Sequence, residues 1–431
     1  MESVWNKNIR FKKYPSLTED LETDALIIGG GMCGLLCAYM LKNKGVDCIL
    51  VEADKICGGV TGFTTAKVTV QHGFIYDKII KKYGVEKAYL YYESQNAAFE
   101  KIKKIASLRN NFEICNSYVY SMYDRGIAEK EVQALEKLGV KAEFCEKTEL
   151  PFKVKGAVKM ENQAKFHPLK FAFDICNSLQ IYENTRVTEI KNNTAVTDKG
   201  KIRAEKIIVA THFPFINKHG GYYLKMYQHR SYVIALENAA DFKDMYVDAS
   251  DEGLSFRGYN NMLLLGGAGH RTGKENGGWR ELERVAKKYY PDSRVSGRWA
   301  TQDCITLDGI PYIGRYSDKT NDLYVATGFN KWGMTSSMTA AMILSDMICQ
   351  KKSKYADLYS PSRSIFHPQL AFNIGEALSG MLTLRTPRCP HMGCALTYNK
   401  WEHSWDCSCH GSRFDKEGKL INNPATKDKE M

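Results

Sequence analysis

Four side chains near the C-terminus are spaced for metal chemistry. Residues 389–394 read CPHMGC and residues 407–412 read CSCHGS, giving Cys389-x-His391, fifteen residues, then Cys407-x-x-His410. Two thiolates and two imidazoles in this pattern suit one [2Fe–2S] centre, with the Cys pair on one iron and the His pair on the other. Neutral imidazoles in place of two thiolates ease reduction and put the potential between roughly −150 and +300 mV. The alternative is a structural zinc site, because Cys and His at short spacings also hold Zn²⁺. A CxH pair joined to CxCH is an uncommon zinc pattern, which favours iron–sulfur. The intervening LTYNKWEHSWD reads as a hairpin, with His403 on its surface.

An iron–sulfur centre needs an electron source, and the N-terminal region supplies a pattern for one. Residues 24–34 read DALIIGGGMCG. The strand-like ALII leads into Gly29-x-Gly31-x-x-Gly34, then a helical apolar pattern, then a second strand, VDCILVE, ending at Glu52. Gly29 permits a tight turn, Gly31 lets backbone approach a pyrophosphate, and Gly34 lets helix and strand pack closely. The helix start offers free N–H groups and partial positive charge to phosphate. Glu52 stands at the distance expected of an acid that accepts from a ribose hydroxyl.

Both ends resemble known families. The C-terminal motifs are similar to those of Rieske proteins, and Gly411 and Ser412 match as well. The resemblance implies a disulfide between Cys394 and Cys409 clamping the two ligand loops. The strands that precede the first loop in full Rieske domains are missing, so the exposed apolar side of this unit is expected to rest on the larger domain. The segments CGGVTGFTTAK (57–67), KIIVAT (206–211), DGIPYIG (308–314) and LYVATGFNKWGMTSS (323–337) resemble the FAD-dependent D-amino-acid oxidase superfamily, over roughly residues 22–352. That resemblance implies FAD, with Gly29, Gly31 and Gly34 at the pyrophosphate and Glu52 at the adenosine ribose. It further implies Thr64 and Thr65 near pyrophosphate and flavin, and the backbone of Val187 at adenine. Gly328, Gly333, Met334 and Thr335 would bound the flavin pyrimidine, where helix N–H groups stabilise the negative charge of reduction.

The superfamily removes a hydride equivalent from a carbon bonded to an amine. No side chain is required as base if the amine arrives neutral, so no catalytic acid or base is assigned. Residues expected near the flavin face are His72, Tyr232, His270, Arg271, Lys331 and Trp332. Arg230, Arg257 and Arg271 are candidate clamps for a substrate carboxylate. Each has an equally ordinary surface or packing role.

The expected fold is α/β plus a small β unit. A Rossmann-like FAD domain (segments about 22–75, 160–215 and 300–352) is interleaved with an α+β substrate domain (about 76–158 and 220–299). Together they make a flavoenzyme unit, 1–365, followed by a linker, 366–388, and a reduced Rieske cluster-binding unit, 389–431. Hydrophobic content of 44 % over 431 residues is ordinary for a globular chain able to bury a large core. No apolar run approaches the roughly 20 residues of a membrane span, and the N-terminus lacks a signal-peptide core, so the expectation is cytoplasmic. The nine other Cys suggest no disulfide framework. A net charge of +11 fits an acidic electron carrier such as a ferredoxin or flavodoxin as partner. It comes without a nucleic-acid motif.

The function that follows is a dehydrogenase that oxidises a small amine or amino acid at FAD and passes electrons singly to the cluster and an external acceptor. Two alternatives are an electron-transfer or redox module without an amine substrate, and a flavin oxidase with structural zinc.

Overall fold

A computed structural model describes all residues except 1, 8, 10, 11, 108–111, 275–276, 385–386 and 431. Its first sheet grows from the apolar strand Leu21–Ile28, whose last four residues are all buried. That strand lies parallel to Lys201–Val209 on one side and Cys48–Val51 on the other. Gln180–Tyr182 and Leu323–Thr327 extend the parallel set, Tyr312–Arg315 closes one edge antiparallel, and the hairpin Val187–Lys191/Thr194–Thr197 adds to Lys201–Val209. Strands buried on both faces read as continuous Val/Ile/Leu runs. Such runs are visible in ALII, CILV and KIIV.

Helix Met32–Lys42 follows the glycine turn and packs on helix Gly333–Ile348. Leu35, Leu36 and Leu41 of the first helix have no exposed surface. Each contributes on the order of 1.5–3 kcal/mol through burial. Close approach is enforced at Gly34, where a Cβ would stand 1.9 Å from the Gly29 carbonyl oxygen.

The second sheet has nine strands and forms a roof over the first. Its path runs Arg294–Thr306, Met226–Glu237, Met262–Arg271, Ser255–Tyr259, Met245–Asp248, Phe112–Ser121, Gly156–Phe166 and Lys67–Val68, with Glu143–Cys145 beside Gly156–Phe166. Two boundaries differ from the sequence expectation. Residues 300–306 and 160–166 belong to roof strands rather than to FAD segments, because each continues a long antiparallel ladder. The ten-residue strand Phe112–Ser121 pairs along its length with Gly156–Phe166.

The C-terminal unit is a four-stranded antiparallel meander, Leu396–Asn399, Ser404–Cys407, Arg413–Asp415 and Leu420–Asn422. Its core comprises Cys389, Cys394, Leu396, Cys407, Cys409, Phe414 and Ala425. Between it and the first two sheets lies helix Pro368–Leu382, inside the segment expected to be linker. The unit rests on the roof as expected, but that helix keeps Phe372, Leu378 and Leu382 exposed. No described helix is long and apolar enough to cross a membrane.

Candidate functional site

The two ligand loops are built alike. The Cys389 carbonyl accepts from Gly393 N–H and the Cys407 carbonyl from Gly411 N–H, each at 2.9 Å. Both glycines have positive φ, 74° and 84°, which returns each loop after its histidine. The loops face each other so that the His391 and His410 ring centroids lie 5.0 Å apart. Both Nδ1 atoms are buried and lack any hydrogen-bond partner. His391 Nε2 lies 3.0 Å from Asn217 Oδ1, an arrangement that leaves its Nδ1 lone pair free. Burial pushes the His391 imidazole down to about 4. Hydrogen bonds from Cys389, then Cys394 and Cys409, pull the Cys407 thiol well below its ordinary value. The sulfurs of Cys394, Cys407 and Cys409 lie within 4.8 Å of one another. Cys394 and Cys409, the pair implied as a disulfide, are therefore side by side and both buried.

This unit is seated on the roof by buried polar contacts. Gln228 Nε2 donates to the His410 carbonyl at 2.7 Å, and Gln302 Nε2 to the Gly411 carbonyl at 2.8 Å. Arg271 reaches past its strand end to the carbonyls of Ser408 (2.9 Å) and Cys409 (3.2 Å) and to Asn373 Oδ1. Asn423 returns bonds to the carbonyls of Thr211 and Phe213. Arg230 grips Glu402 at two points, and Arg413 joins Glu402 to Asp406. Burial alone would raise the Glu402 carboxyl, but Arg230 and Arg413 outweigh it and hold it at about 2.

At the first sheet, Gly29 takes φ 112° and Gly31 begins the helix without a side-chain cap. A Cβ at Gly31 would meet only Thr61 Oγ1, at 3.6 Å, so the space before this helix is open. The Glu52 carboxylate accepts from Gly30 N (2.7 Å) and Asp54 N (2.9 Å) at the end of its strand. Buried Val187 starts the strand beyond it. Thr64 and Thr65 lie in a loop whose five successive carbonyls are held by donors distant in sequence. Ser3 holds Gly62, Trp299 holds Phe63, Trp5 holds Thr64, and Arg257 holds Thr65 and Ala66. Arg257 is therefore a loop anchor, also bonded to the Phe166 carbonyl, and not a substrate clamp. Lys67 follows this loop; burial, then Arg257, pushes its ammonium down to about 7.

The helix at Gly333 also starts uncapped, and buried Ser336 Oγ has no partner. Gly328 has φ 72° in the approach to it. Thr335 Oγ1 bonds His72 Nε2 at 2.9 Å, and His72 Nδ1 meets Tyr91 OH at 2.7 Å. His72 stacks on Trp332, and burial pushes it down to about 3. It is a neutral brace for the helix start, with both ring nitrogens engaged.

Strand Met226–Glu237 decides which roof residues meet the interior. Side chains alternate across a sheet, and the side carrying Gln228, Arg230 and Tyr232 is covered by the C-terminal unit. Tyr232 OH meets His270 Nε2 at 3.2 Å, and both line a cleft of about 20 Å³ against Asn399 and Trp401, room for little more than water. Arg230, Tyr232, His270 and Arg271 are thus interface residues, which corrects their placement at a substrate. The sequence reading chose the wrong parity. The interior face carries His229, Ser231, Val233 and Ala235, the last two packed in the same core as helices 32–42 and 333–348. His229 pairs in register with Asp303, and Lys331 lies within electrostatic reach of both. Burial pushes His229 down to about 2 and Asp303 up to about 6. Buried His229 Nδ1 and Thr301 Oγ1 have no partners. Exposed Lys331 donates from Nζ to the Asp251 carbonyl at 3.1 Å. Its φ of 71° follows 51° at Asn330, and Asn330 Oδ1 accepts from Thr306 N. His229, Thr301 and Asp303 were missed because nothing in their local sequence marks them.

Comparison with known proteins gives these two regions their identity. Residues 24–347 match the model of the family described as FAD dependent oxidoreductase. The chain belongs to that family. Residues 364–430 match the Rieske [2Fe-2S] domain. The putative Rieske 2Fe-2S iron-sulfur protein YhfW of Bacillus subtilis (strain 168) is 32 % identical, covering 99 % of this chain and 96 % of its own. Gamma-glutamylputrescine oxidoreductase of Escherichia coli (strain K12) is 22 % identical over 79 % of this chain and 86 % of that protein. Among solved structures, L-proline dehydrogenase from P. horikoshii matches at TM-score 0.67 and 19 % identity, covering 80 % of this chain and 98 % of that one. Glycine oxidase from Geobacillus kaustophilus matches at TM-score 0.67 and 16 % identity, covering 80 % and 99 %.

This FAD-dependent oxidoreductase therefore carries FAD and a Rieske [2Fe–2S] cluster, and its residues fit both. Two unpartnered Nδ1 atoms beside two buried thiols offer the two-imidazole, two-thiolate donor set of such a cluster, and the Rieske match decides for it over zinc. Two uncapped helix starts, open space before Gly31 and an unpartnered Ser336 hydroxyl suit a dinucleotide with an electron-accepting ring.

Proposed function

We propose that the protein is a dehydrogenase that oxidises a small amine or amino acid at its C–N bond and delivers the electrons singly through its cluster to an external acceptor. The observation that carries this reading is the seating of the Rieske ligand loops on the roof sheet whose opposite face carries His229 and Asp303, with Lys331 in electrostatic reach of both. Bound FAD supplies two-electron hydride acceptance, and the [2Fe–2S] cluster supplies one-electron carriage.

In this reading Gly29, Gly31, Gly34, Glu52, Thr64, Thr65 and Val187 hold the dinucleotide, and Gly328, Gly333, Met334 and Thr335 bound the flavin ring. Cys389, His391, Cys407 and His410 hold the cluster. Asp303 accepts an ammonium from substrate, and Lys331 meets a carboxylate or other electron-rich group. Neutral His229 fills the space between them without adding charge. One relative is named for gamma-glutamylputrescine and two of the structural neighbours for proline and glycine, which supports the donor class. The excess of basic residues supports an acidic one-electron carrier as acceptor.

Anaerobic mixing with candidate amines and amino acids, followed at flavin and cluster absorption bands, tests the reading. Bleaching of both in sequence supports it. Flavin bleaching with a cluster that stays oxidised overturns it.

A further inference from the structure

Two glutamines of the roof share one buried hydrogen-bond network with the Rieske ligand loop. Gln228 and Gln302 expose 1 % and 2 % of their surface. Gln302 Nε2 donates to Gln228 Oε1 at 2.5 Å and to the Gly411 carbonyl at 2.8 Å, while its Oε1 accepts from Thr272 Oγ1. Gln228 Nε2 donates to the carbonyls of His410 at 2.7 Å and Asn423 at 3.1 Å. All four amide polar atoms are engaged. A buried amide left unpaired is costly, so the pair favours the one arrangement in which the loop is in place.

A second observation at the same spot is steric. A Cβ on Gly411 would stand 2.5 Å from Gln228 Cβ and 2.7 Å from its Nε2. The loop of a cluster ligand thus lies in direct contact with a roof strand. On that strand the next residue, His229, lies on the other face of the sheet, paired in register with Asp303. One sheet thus separates the ligand loop from the face that carries His229 and Asp303.

We propose that Gln228 and Gln302 are positioning residues that hold the cluster in a permanently docked state, so that electron delivery to it needs no swing of the Rieske unit. This rests on the relay reading above. Neither glutamine touches substrate or flavin in the proposal; they act by fixing the His410–Gly411 loop against the sheet. The Arg230–Glu402 pair and the Asn423 bond to the Thr211 carbonyl add further anchors between this unit and the larger domain.

The test compares the purified holoenzyme with Q302M and Q228E. The first keeps length and removes both donors; the second keeps shape but replaces the donor N–H groups with oxygen. Stopped-flow reduction by dithionite-free photoreduction of the flavin gives the rates of flavin and cluster reduction separately, without any substrate. Hydrogen exchange at residues 408–412 reports docking directly. The expected result is unchanged flavin content and flavin reduction, cluster reduction slowed at least tenfold, faster exchange in the loop, and wild-type cluster reduction independent of solvent viscosity. Wild-type cluster rates in both variants overturn the proposal, as does viscosity-limited cluster reduction in the wild type. A wild-type cluster that is never reduced by the flavin sinks the relay reading instead, so the two failures are distinct. Should Q228E lose its cluster, Q302M carries the same comparison.

Discussion

Arg230 of the roof and Glu402 of the C-terminal hairpin form a buried two-point ion pair, with 5 % and 0 % of their side chains exposed. The pair spans the boundary between the flavoenzyme and the Rieske unit, and Arg413 closes it from the far side. Removing one member leaves a charge buried without its counter-ion, which costs about 3–5 kcal/mol. E402Q is expected to lower the unfolding free energy by that order, read as a lower urea midpoint, and to free the Rieske unit to limited proteolysis before the first sheet unfolds. A midpoint equal to wild type contradicts this.

The same carboxylate sets an acid limit. Its value of about 2 in the fold lies below the ordinary Glu value near 4.3. Its contribution to stability is full above the unfolded value and is lost as pH falls through the folded one. Docking should therefore persist at pH 5 and weaken between about pH 4 and 2, and E402Q should flatten that part of the stability profile. Equilibrium denaturation at stepped pH measures it.

The two motif glycines should fail in different ways. At Gly34 a Cβ collides with the Gly29 carbonyl, so G34A should destabilise the apoprotein itself. At Gly31 a methyl group has room in the protein and φ is −78°. G31A should leave the apoprotein melting temperature near wild type but weaken FAD binding at least tenfold. Thermal melts of apoprotein with FAD titrations distinguish the two.

Asp303 supplies a pH signature for substrate capture. Burial raises its carboxyl to about 6, so the anion that would hold a substrate ammonium exists mainly above that pH. The kcat/KM for an amine substrate should rise through about pH 6, and D303N should remove the inflection and lower the plateau by 10-fold or more. An unchanged profile in D303N would remove Asp303 from the site.

The cluster ligands and dinucleotide glycines were legible in the sequence because each lies in a short local motif whose backbone geometry is self-contained. The parity of strand Met226–Glu237 was not. Gln228, Arg230 and Tyr232 face a second domain, while His229, Val233 and Ala235 face the core. Both faces are buried, so no alternation of polar and apolar residues marks the interior. The arginines read as carboxylate clamps could not be told from anchors, because Glu402, Ser408 and Cys409 lie more than a hundred residues away in sequence. The loop 62–66 was recognised, but not its restraint by Ser3 and Trp5, since the N-terminal segment carries no motif.

The central claim is that both redox centres serve one reaction, with electrons passing inside the chain from the flavin to the cluster. Anaerobic substrate reduction of the iron- and FAD-replete protein, monitored by electron paramagnetic resonance, tests it most directly. A reduced [2Fe–2S] signal should grow in after flavin bleaching and be absent in C389S with FAD retained. A bleached flavin beside a cluster that stays oxidised at equilibrium would contradict it.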